Sequence, residues 1–254
     1  VEPHPLYVAC HEGLVYVTYW GSATVSVCDV ADHTVVRSWP LHGGGSGCGV
    51  VVHEQSVYIA NAGLDCIQVY GLDGTFQRQF GTEGSGPGQL KNPAGLALSG
   101  DDQLYVCDTY NHRVQVFGLD GSHVRSWGSR GAGPGEFNGP TGLAVDEECV
   151  YVCEEVNHRV QVFGLDGTFQ RTWGSRGAGD GEFKTPADAV VQGELLYVSD
   201  RNNHRVQVFE KATGTFVRSW GSEGAGPGQF QDPAGMAVSE EGQLRVCDSG
   251  NSRV

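Results

Sequence analysis

The sequence predicts an all-β fold, a six-bladed β-propeller of four-stranded antiparallel blades whose last blade is incomplete at the C-terminus. Three observations predict it. One unit recurs along the chain, each unit holds four short runs of alternating apolar residues, and no useful stretch carries a helical period. The segment Asn111-His112-Arg113-Val114-Gln115-Val116-Phe117 returns at Asn157 to Phe163 and at Asn203 to Phe209, and begins again at Asn251. Weaker copies stand at Ile67 to Tyr70 and at Val25 to Val27. With Val25, Ile67, Val114, Val160, Val206 and Val254 as register points, the spacings are 42, 47, 46, 46 and 48. One such unit cannot bury both faces of its sheet. Units stacked side by side around a ring can.

The third unit shows the elements in order. They are Leu96-Ala97-Leu98, then Leu104 to Cys107, Arg113 to Phe117 and His123 to Trp127. Each run alternates and is rich in β-branched or aromatic residues, the signal of a half-buried strand. The last two strands are joined by Leu-Asp-Gly at Leu72, Leu119 and Leu165, a hairpin signal because Asp and Gly tolerate positive φ. The blades are expected at roughly 5–40, 47–81, 93–128, 140–174, 186–221 and 233–254, forming a single domain over 1–254. The short first spacing has a local cause. The connection Pro40 to Gly49 is five residues shorter than its counterpart at Gly128 to Gly142, and the Cys28 to Thr34 hairpin is one residue longer. The last unit stops inside its expected third strand at Val254, 13 residues short on the Val114-to-Trp127 ruler. That shortfall carries the expectation that the chain is a piece of a longer protein.

Composition narrows the function classes. The 254 residues include 16 Lys plus Arg against 30 Asp plus Glu, a formal charge of −14, and 39% are hydrophobic. That apolar share supports a core and excludes general disorder. No apolar run approaches the roughly 18 residues that span a bilayer, and no signal peptide is visible. The acidic balance disfavours broad nucleic-acid binding.

Second-strand ends and the residues after them carry a shared signature: Tyr105-Val106-Cys107-Asp108 with Asn111-His112-Arg113, Tyr151-Val152-Cys153-Glu154 with Asn157-His158-Arg159, Tyr197-Val198-Ser199-Asp200 with Asn203-His204-Arg205, and Val246-Cys247-Asp248 with Asn251-Ser252-Arg253. These residues resemble the NHL repeat family. The first two units depart from the pattern, with Tyr19 and Thr24, then Asn61 and Cys66, at the acidic and arginine positions. The resemblance implies a propeller that serves as a binding platform. It also implies that the chain can stand beside RING and B-box domains in a ubiquitin ligase or scaffold.

Each recurring motif has a structural reading. The pairs Asp108 and Arg113, Glu154 and Arg159, Asp200 and Arg205, and Asp248 and Arg253 read as ion pairs that fix the loop before the third strand. His112, His158 and His204 fan outward around a ring, too far apart for a zinc ion that needs ligands at about 2.0–2.1 Å. The glycine-rich connections at Gly81, Gly128, Gly174 and Gly221 look like phosphate loops, but no helix follows them. They read as inter-blade turns with Leu90, Phe137, Phe183 and Phe230 plugging the seams. Trp39, Phe80, Trp127, Trp173 and Trp220 end the fourth strands, each two residues after an arginine of an outer belt. Of the eight cysteines, Cys107, Cys153 and Cys247 share one small buried position, beyond the roughly 7 Å Cα separation that a disulfide spans. Reduced thiols are expected, and with them a cytoplasmic setting. No metal and no cofactor is expected.

Function is sought where the repeat breaks on the face that carries the inter-blade loops. There Tyr19, Trp20 and Tyr110 are candidate aromatic anchors. Asp188 replaces Gly95, Gly142 and Gly235 at the start of the innermost strand and points toward the axis, and Cys48 is placed at the corresponding position of blade two. Arg130, Arg176 and Lys184 form a candidate basic patch. The leading expectation is a non-enzymatic, monomeric propeller that binds a protein or peptide through these top-face residues and does not enter a membrane. An RNA-binding propeller is the alternative. A metal-dependent propeller lyase or hydrolase is the second alternative. A lyase branch of six-bladed propellers binds metal near its axis, but its histidine positions are not found here, and Asp188 is the one good axial acid.

Overall fold

A computed structural model describes residues 4–254. Strands follow one another as antiparallel neighbours, so each four-strand sheet is a simple meander. Blade one holds β1 to β4 (Pro5–His11, Leu14–Tyr19, Thr24–Asp29, Val35–Pro40) and blade two holds β5 to β8 (Gly47–His53, Ser56–Asn61, Cys66–Gly71, Phe76–Phe80). Blade three holds β9 to β12 (Pro93–Leu98, Gln103–Asp108, Arg113–Gly118, His123–Trp127) and blade four β13 to β16 (Pro140–Val145, Cys149–Glu154, Arg159–Gly164, Phe169–Trp173). Blade five holds β17 to β20 (Pro186–Gln192, Leu195–Asp200, Arg205–Glu210, Phe216–Trp220). The first strands line the axis, and the fourth strands are the outer edges.

The expected count of six blades, the last broken inside its third strand, is corrected. The described residues form five complete blades, followed by a two-stranded sheet of β21 (Pro233–Val238) and β22 (Leu244–Asp248). That sheet lies between β17 of blade five and β1 of blade one. A strand needs a ladder of successive pairs. After β22 the chain makes a 3₁₀ turn over Ser249–Asn251, and Arg253 forms one isolated bridge back to Asp248. One pair is not a strand.

Blade contacts follow the repeat. The third-strand aromatic of each later blade meets the aromatic that ends the fourth strand of the blade before it. Ring centroids are 6.0 Å apart for Trp39 and Tyr70, 5.4 Å for Phe80 and Phe117, 5.8 Å for Trp127 and Phe163, and 5.9 Å for Trp173 and Phe209. The seam plugs behave as expected: Leu90, Phe137 and Phe183 are fully buried, and Phe137 and Phe183 sit 5.4 and 5.6 Å from the same third-strand rings.

The glycine-rich connections satisfy their own amides. Gly86 and Gly226 donate to the side chains of Gln89 and Gln229, and Gly133 and Gly179 to Glu136 and Glu182, at 2.8–3.0 Å. A phosphate would have to displace a neighbour's side chain.

The signature residues tie each third strand to the connection before it. Arg113 Nε donates to Asp108 at 2.7 Å, and its other nitrogens donate to the carbonyls of Ser85, Gly86 and Gln89. Arg159 pairs with Glu154, Arg205 with Asp200 and Arg253 with Asp248 at 2.6–3.0 Å. The acids are buried, and the adjoining amides are held by the same carboxylates, as with Lys91 N on Asp108. The histidines after the 3₁₀ turns and at the matching turn of blade four adopt left-handed backbone, φ 54–56° at His112, His158 and His204. Their Nδ1 atoms contact the next connection at Gly139 N, Lys184 O and Asp232 N. They serve blade-to-blade linkage.

Close approach at the axis demands glycine. A Cβ on Gly95 would lie 2.5 Å from the Thr141 carbonyl oxygen and 2.9 Å from Gly142 Cα, both backbone atoms that cannot swing away. Gly95→Ala is therefore expected to cost about 1–3 kcal/mol, as overpacked cores do. Urea unfolding measures it, and a change below about 0.5 kcal/mol would mean that the first strands spread freely.

Candidate functional site: an axial funnel

Every first strand carries a register shift just after its first residue, from Pro5/Tyr7 in β1 to Pro233/Met236 in β21. Bulges of this kind re-aim a side chain. Here they turn one residue per strand toward the open end of the axis: Leu6, Cys48, Ala94, Thr141, Ala187 and Ala234. This ring floors a funnel of about 340 Å³. Below it the axis is plugged. Tyr7 and Asp188 occupy the register position that is Gly49, Gly95, Gly142 and Gly235 in the other strands. The Tyr7 hydroxyl donates across the ring to the Thr141 carbonyl at 3.0 Å.

The funnel wall comes from the residue that follows each second strand's last position. These are Trp20, Thr109, Glu155 and Arg201, in register with Ala62 and Ser249. Where this residue is Thr109 or Ser249, its hydroxyl bonds to the first residue of the next sheet's inner strand, at the carbonyls of Pro140 and Pro5. Glu155 and Arg201 replace that short link with long charged side chains. Burial raises the Glu155 pKa, and Arg201 partly opposes the rise. Tyr110, one residue further on, joins the rim from the 3₁₀ turn Thr109–Asn111. Trp20 and Tyr110 are 63% and 62% exposed, so two large rings stand in solvent above an apolar floor.

Asp188 is buried, and its Oδ2 accepts the Met236 amide at 2.9 Å, which links blade five to β21. Its own amide donates to Ser199 Oγ at 3.0 Å, and Ser199 stands where other second strands have Cys107 or Cys153. Burial pushes the Asp188 pKa up to about 7, against the two backbone amides that lower it. The Cys48 thiol is raised by burial to about 12, so it is a wall atom and not a nucleophile. Among the described residues no group of three or more His, Cys, Asp or Glu side chains is placed to hold a metal ion.

The funnel gathers Trp20, Cys48 and Tyr110 from the sequence-derived candidates, with Asp188 beneath. Two placements are corrected. Tyr19 is not on this face: it shares the β2 alternation with Val15 and Val17, and all three line a side notch between blade one and β22. Cys48 is the neighbour of Asp188's register mate, which is Gly49. Arg130, Arg176 and Lys184 are exposed on the inter-blade connections and do not line the funnel, so they do not converge with the aromatics. Glu155, Arg201 and Tyr7 were missed. Glu155 and Arg201 had a signal: the position after the signature acid holds a small hydroxyl residue at Thr109 and Ser249 and turns to a long charged one at Glu155 and Arg201.

Comparison with known proteins agrees with this architecture. No curated protein matches the chain. Among solved structures, a chain from the crystal structure of a nidogen/laminin complex superposes with a TM-score of 0.69 at 18% identity, covering 86% of this chain and 80% of that one. A streptogramin B lyase structure superposes with a TM-score of 0.66 at 11% identity, covering 98% and 92%. At such identities the likeness is one of fold. Among the described residues no helix is long and apolar enough to cross a membrane. The NHL repeat profile matches residues 90–117, 137–163, 183–209 and 230–254, each running from a seam plug through the signature into the third strand. These four repeats identify the chain as an NHL-repeat β-propeller.

Proposed function

We propose that this propeller is a non-enzymatic binding platform whose axial funnel receives a protein or peptide segment. The observation that carries the reading is the pair of exposed rings, Trp20 and Tyr110, on the rim of a preformed apolar-floored cavity. Rigid aromatics beside a pocket supply contact area at small entropic cost. Glu155 and Arg201 add one acceptor and one donor set inside the same wall, which fixes the orientation of a polar backbone. The nidogen/laminin structure supports the reading by analogy, since a propeller of similar fold occurs there in a protein complex. The basic residues that an RNA reading needs lie away from the funnel, and the chain carries 30 acidic against 16 basic residues.

Panning a random peptide library against the whole chain tests this. Selected peptides are expected to lose about thirtyfold or more in affinity to a Trp20→Ala/Tyr110→Ala variant, the loss of at least one hot spot. Both side chains are mostly exposed, so the variant keeps its melting temperature. Equal affinity for both proteins would remove the funnel from the binding site. Selective retention of single-stranded RNA that weakens steeply with salt would favour the RNA reading instead.

A further inference from the structure

We infer that the axial funnel receives the free N-terminus of a polypeptide, its α-ammonium group donating to Glu155 and its first carbonyl accepting from Arg201. The inference rests on the funnel reading above and names the part of a peptide that enters.

The wall side chains start from fixed points. The amides of Trp20, Glu155 and Arg201 donate to the carbonyls of His4, Gly139 and Thr185 at 3.0–3.3 Å, each the residue before the proline that opens an inner strand. Glu155 and Arg201 therefore stand at one position of two adjacent blades, four and five, and both line the funnel. Both are half-buried. Burial raises the Glu155 pKa, and Arg201 opposes the rise as a charge at a distance, not as a hydrogen-bond partner. Among the described residues neither side chain makes a hydrogen bond or an ion pair, with the other or with a third group. Two opposite charges left side by side in a partly desolvated wall call for a ligand group that donates at one end and accepts at the other.

The funnel is closed below. Tyr7 reaches across the axis to the Thr141 carbonyl, under a floor that is apolar apart from Thr141 itself. An extended segment cannot run through such a site, so a chain enters by an end or by a side chain. A chain end supplies the required pair, because the ammonium and the first carbonyl of an N-terminal residue sit on one Cα. Capture of a terminal amine is an established way of reading a peptide.

Charge selects the N-terminus over the other candidates. Thr109 Oγ, on blade three beside Glu155, gives its proton to the Pro140 carbonyl and has only lone pairs left for the funnel. Aromatic rings such as Trp20 and Tyr110 favour a cation over their faces. The chain's formal charge of −14 draws a cationic end toward it and repels a carboxylate. A C-terminal carboxylate would meet Arg201 but lie against Glu155. A lysine or arginine side chain would satisfy Glu155 but leave Arg201 facing a second cation with no acceptor. The small floor residues Ala94, Ala187 and Ala234 leave room for one apolar side chain on the first residue, and Trp20 and Tyr110 then flank the residues that follow it.

The test presents the whole chain with bead-bound hexapeptide libraries of three kinds: free amine, N-acetylated, and inverted with a free carboxylate. Selected peptides are then titrated in solution by calorimetry. The expected result is retention on the free-amine beads alone, with an apolar first residue, and a loss of about thirtyfold or more when the amine is acetylated. Glu155→Gln and Arg201→Ala are each expected to weaken free-amine peptides about tenfold or more and to keep the wild-type melting temperature. On Glu155→Gln, acetylation should cost less than about threefold, because the ammonium has already lost its partner. A carboxylate that merely props the wall would leave the acetylation penalty unchanged. That result, or acetylated or carboxylate-ended peptides that bind as tightly as free-amine ones, would overturn the inference. If such peptides still lost affinity to Trp20→Ala/Tyr110→Ala, the funnel would stand as the binding site and only the choice of chain end would fall. Binders indifferent to the aromatic, Glu155 and Arg201 variants alike would overturn both readings, as would the absence of any binder at millimolar peptide.

Discussion

Asp200→Ala is expected to lower stability by about 3–5 kcal/mol, which for a domain of this size is a drop of roughly 6–20 °C in melting temperature. The Asp200 carboxylate is fully buried and accepts from the Lys184 amide at 2.9 Å, Asn203 Nδ2 at 2.7 Å, Arg205 Nε at 3.0 Å and Gln207 Nε2 at 3.3 Å. Taking it away leaves the Arg205 guanidinium, with a side chain only 12% exposed, without its counter-charge. A buried charge stripped of its partner costs far more than the pair contributes while intact. Asp200→Asn keeps an acceptor but loses the charge, and should fall between wild type and alanine. Arg130→Ala, on an exposed connection, should stay within about 0.5 kcal/mol of wild type. Calorimetric melting of the four proteins decides the matter. If Asp200→Ala melted with the wild type, the recurring acid–arginine pair would not be what anchors each third strand, and a ring of charge for ligand binding would regain its claim.

The same signature explains why the fold could be read and the blade count could not. Val114, Val160 and Val206 repeat at a spacing of 46 because each must lie in the same inter-blade seam, and identical burial leaves identical residues. Val254 carries the same sequence mark with 42% of its surface exposed. Register therefore announced a sixth unit, while strand formation depends on a ladder that a single pair does not make. The funnel was half legible for a related reason. Trp20 and Tyr110 announce themselves by size. Glu155 and Arg201 are ordinary surface residues until the bulged first strands fix a wall for them to line. Tyr19 was misplaced because it adjoins Trp20 in sequence. Strand alternation gives the two side chains different surroundings, the notch for Tyr19 and the funnel for Trp20.

Asp188 yields the second large effect, and it runs against the usual behaviour of carboxylates. Its folded-state pKa is raised by burial to about 7 from the model-peptide value of 3.8. Between those two values the folded chain holds a proton that the unfolded chain has released, so stability falls as pH rises. The stabilisation is fully present below pH 3.8 and gone above about 7. The slope is about 1.4 kcal/mol per pH unit, which accumulates to about 4 kcal/mol across the window. Asp188→Asn keeps an acceptor for the Met236 amide and has nothing to titrate, so the variant should match wild type near pH 4 and exceed it by several kcal/mol at pH 8. Acidification relieves general repulsion in a chain of formal charge −14, but that term is common to both proteins and cancels in their difference. Urea unfolding of both at five pH values from 4 to 8 gives the result. A pH-independent difference would mean that Asp188 does not change protonation in this range. A difference of the opposite sign would mean that it is ionised in the fold and paired with a positive charge on the axis. A neutral acid held by backbone amides of its own strand and of β21 is a plug that joins two sheets. An ionised one drawing a cation would be the beginning of a site, and would reopen the enzymatic reading, since Asp188 also lines a cavity of about 350 Å³ between the innermost strands.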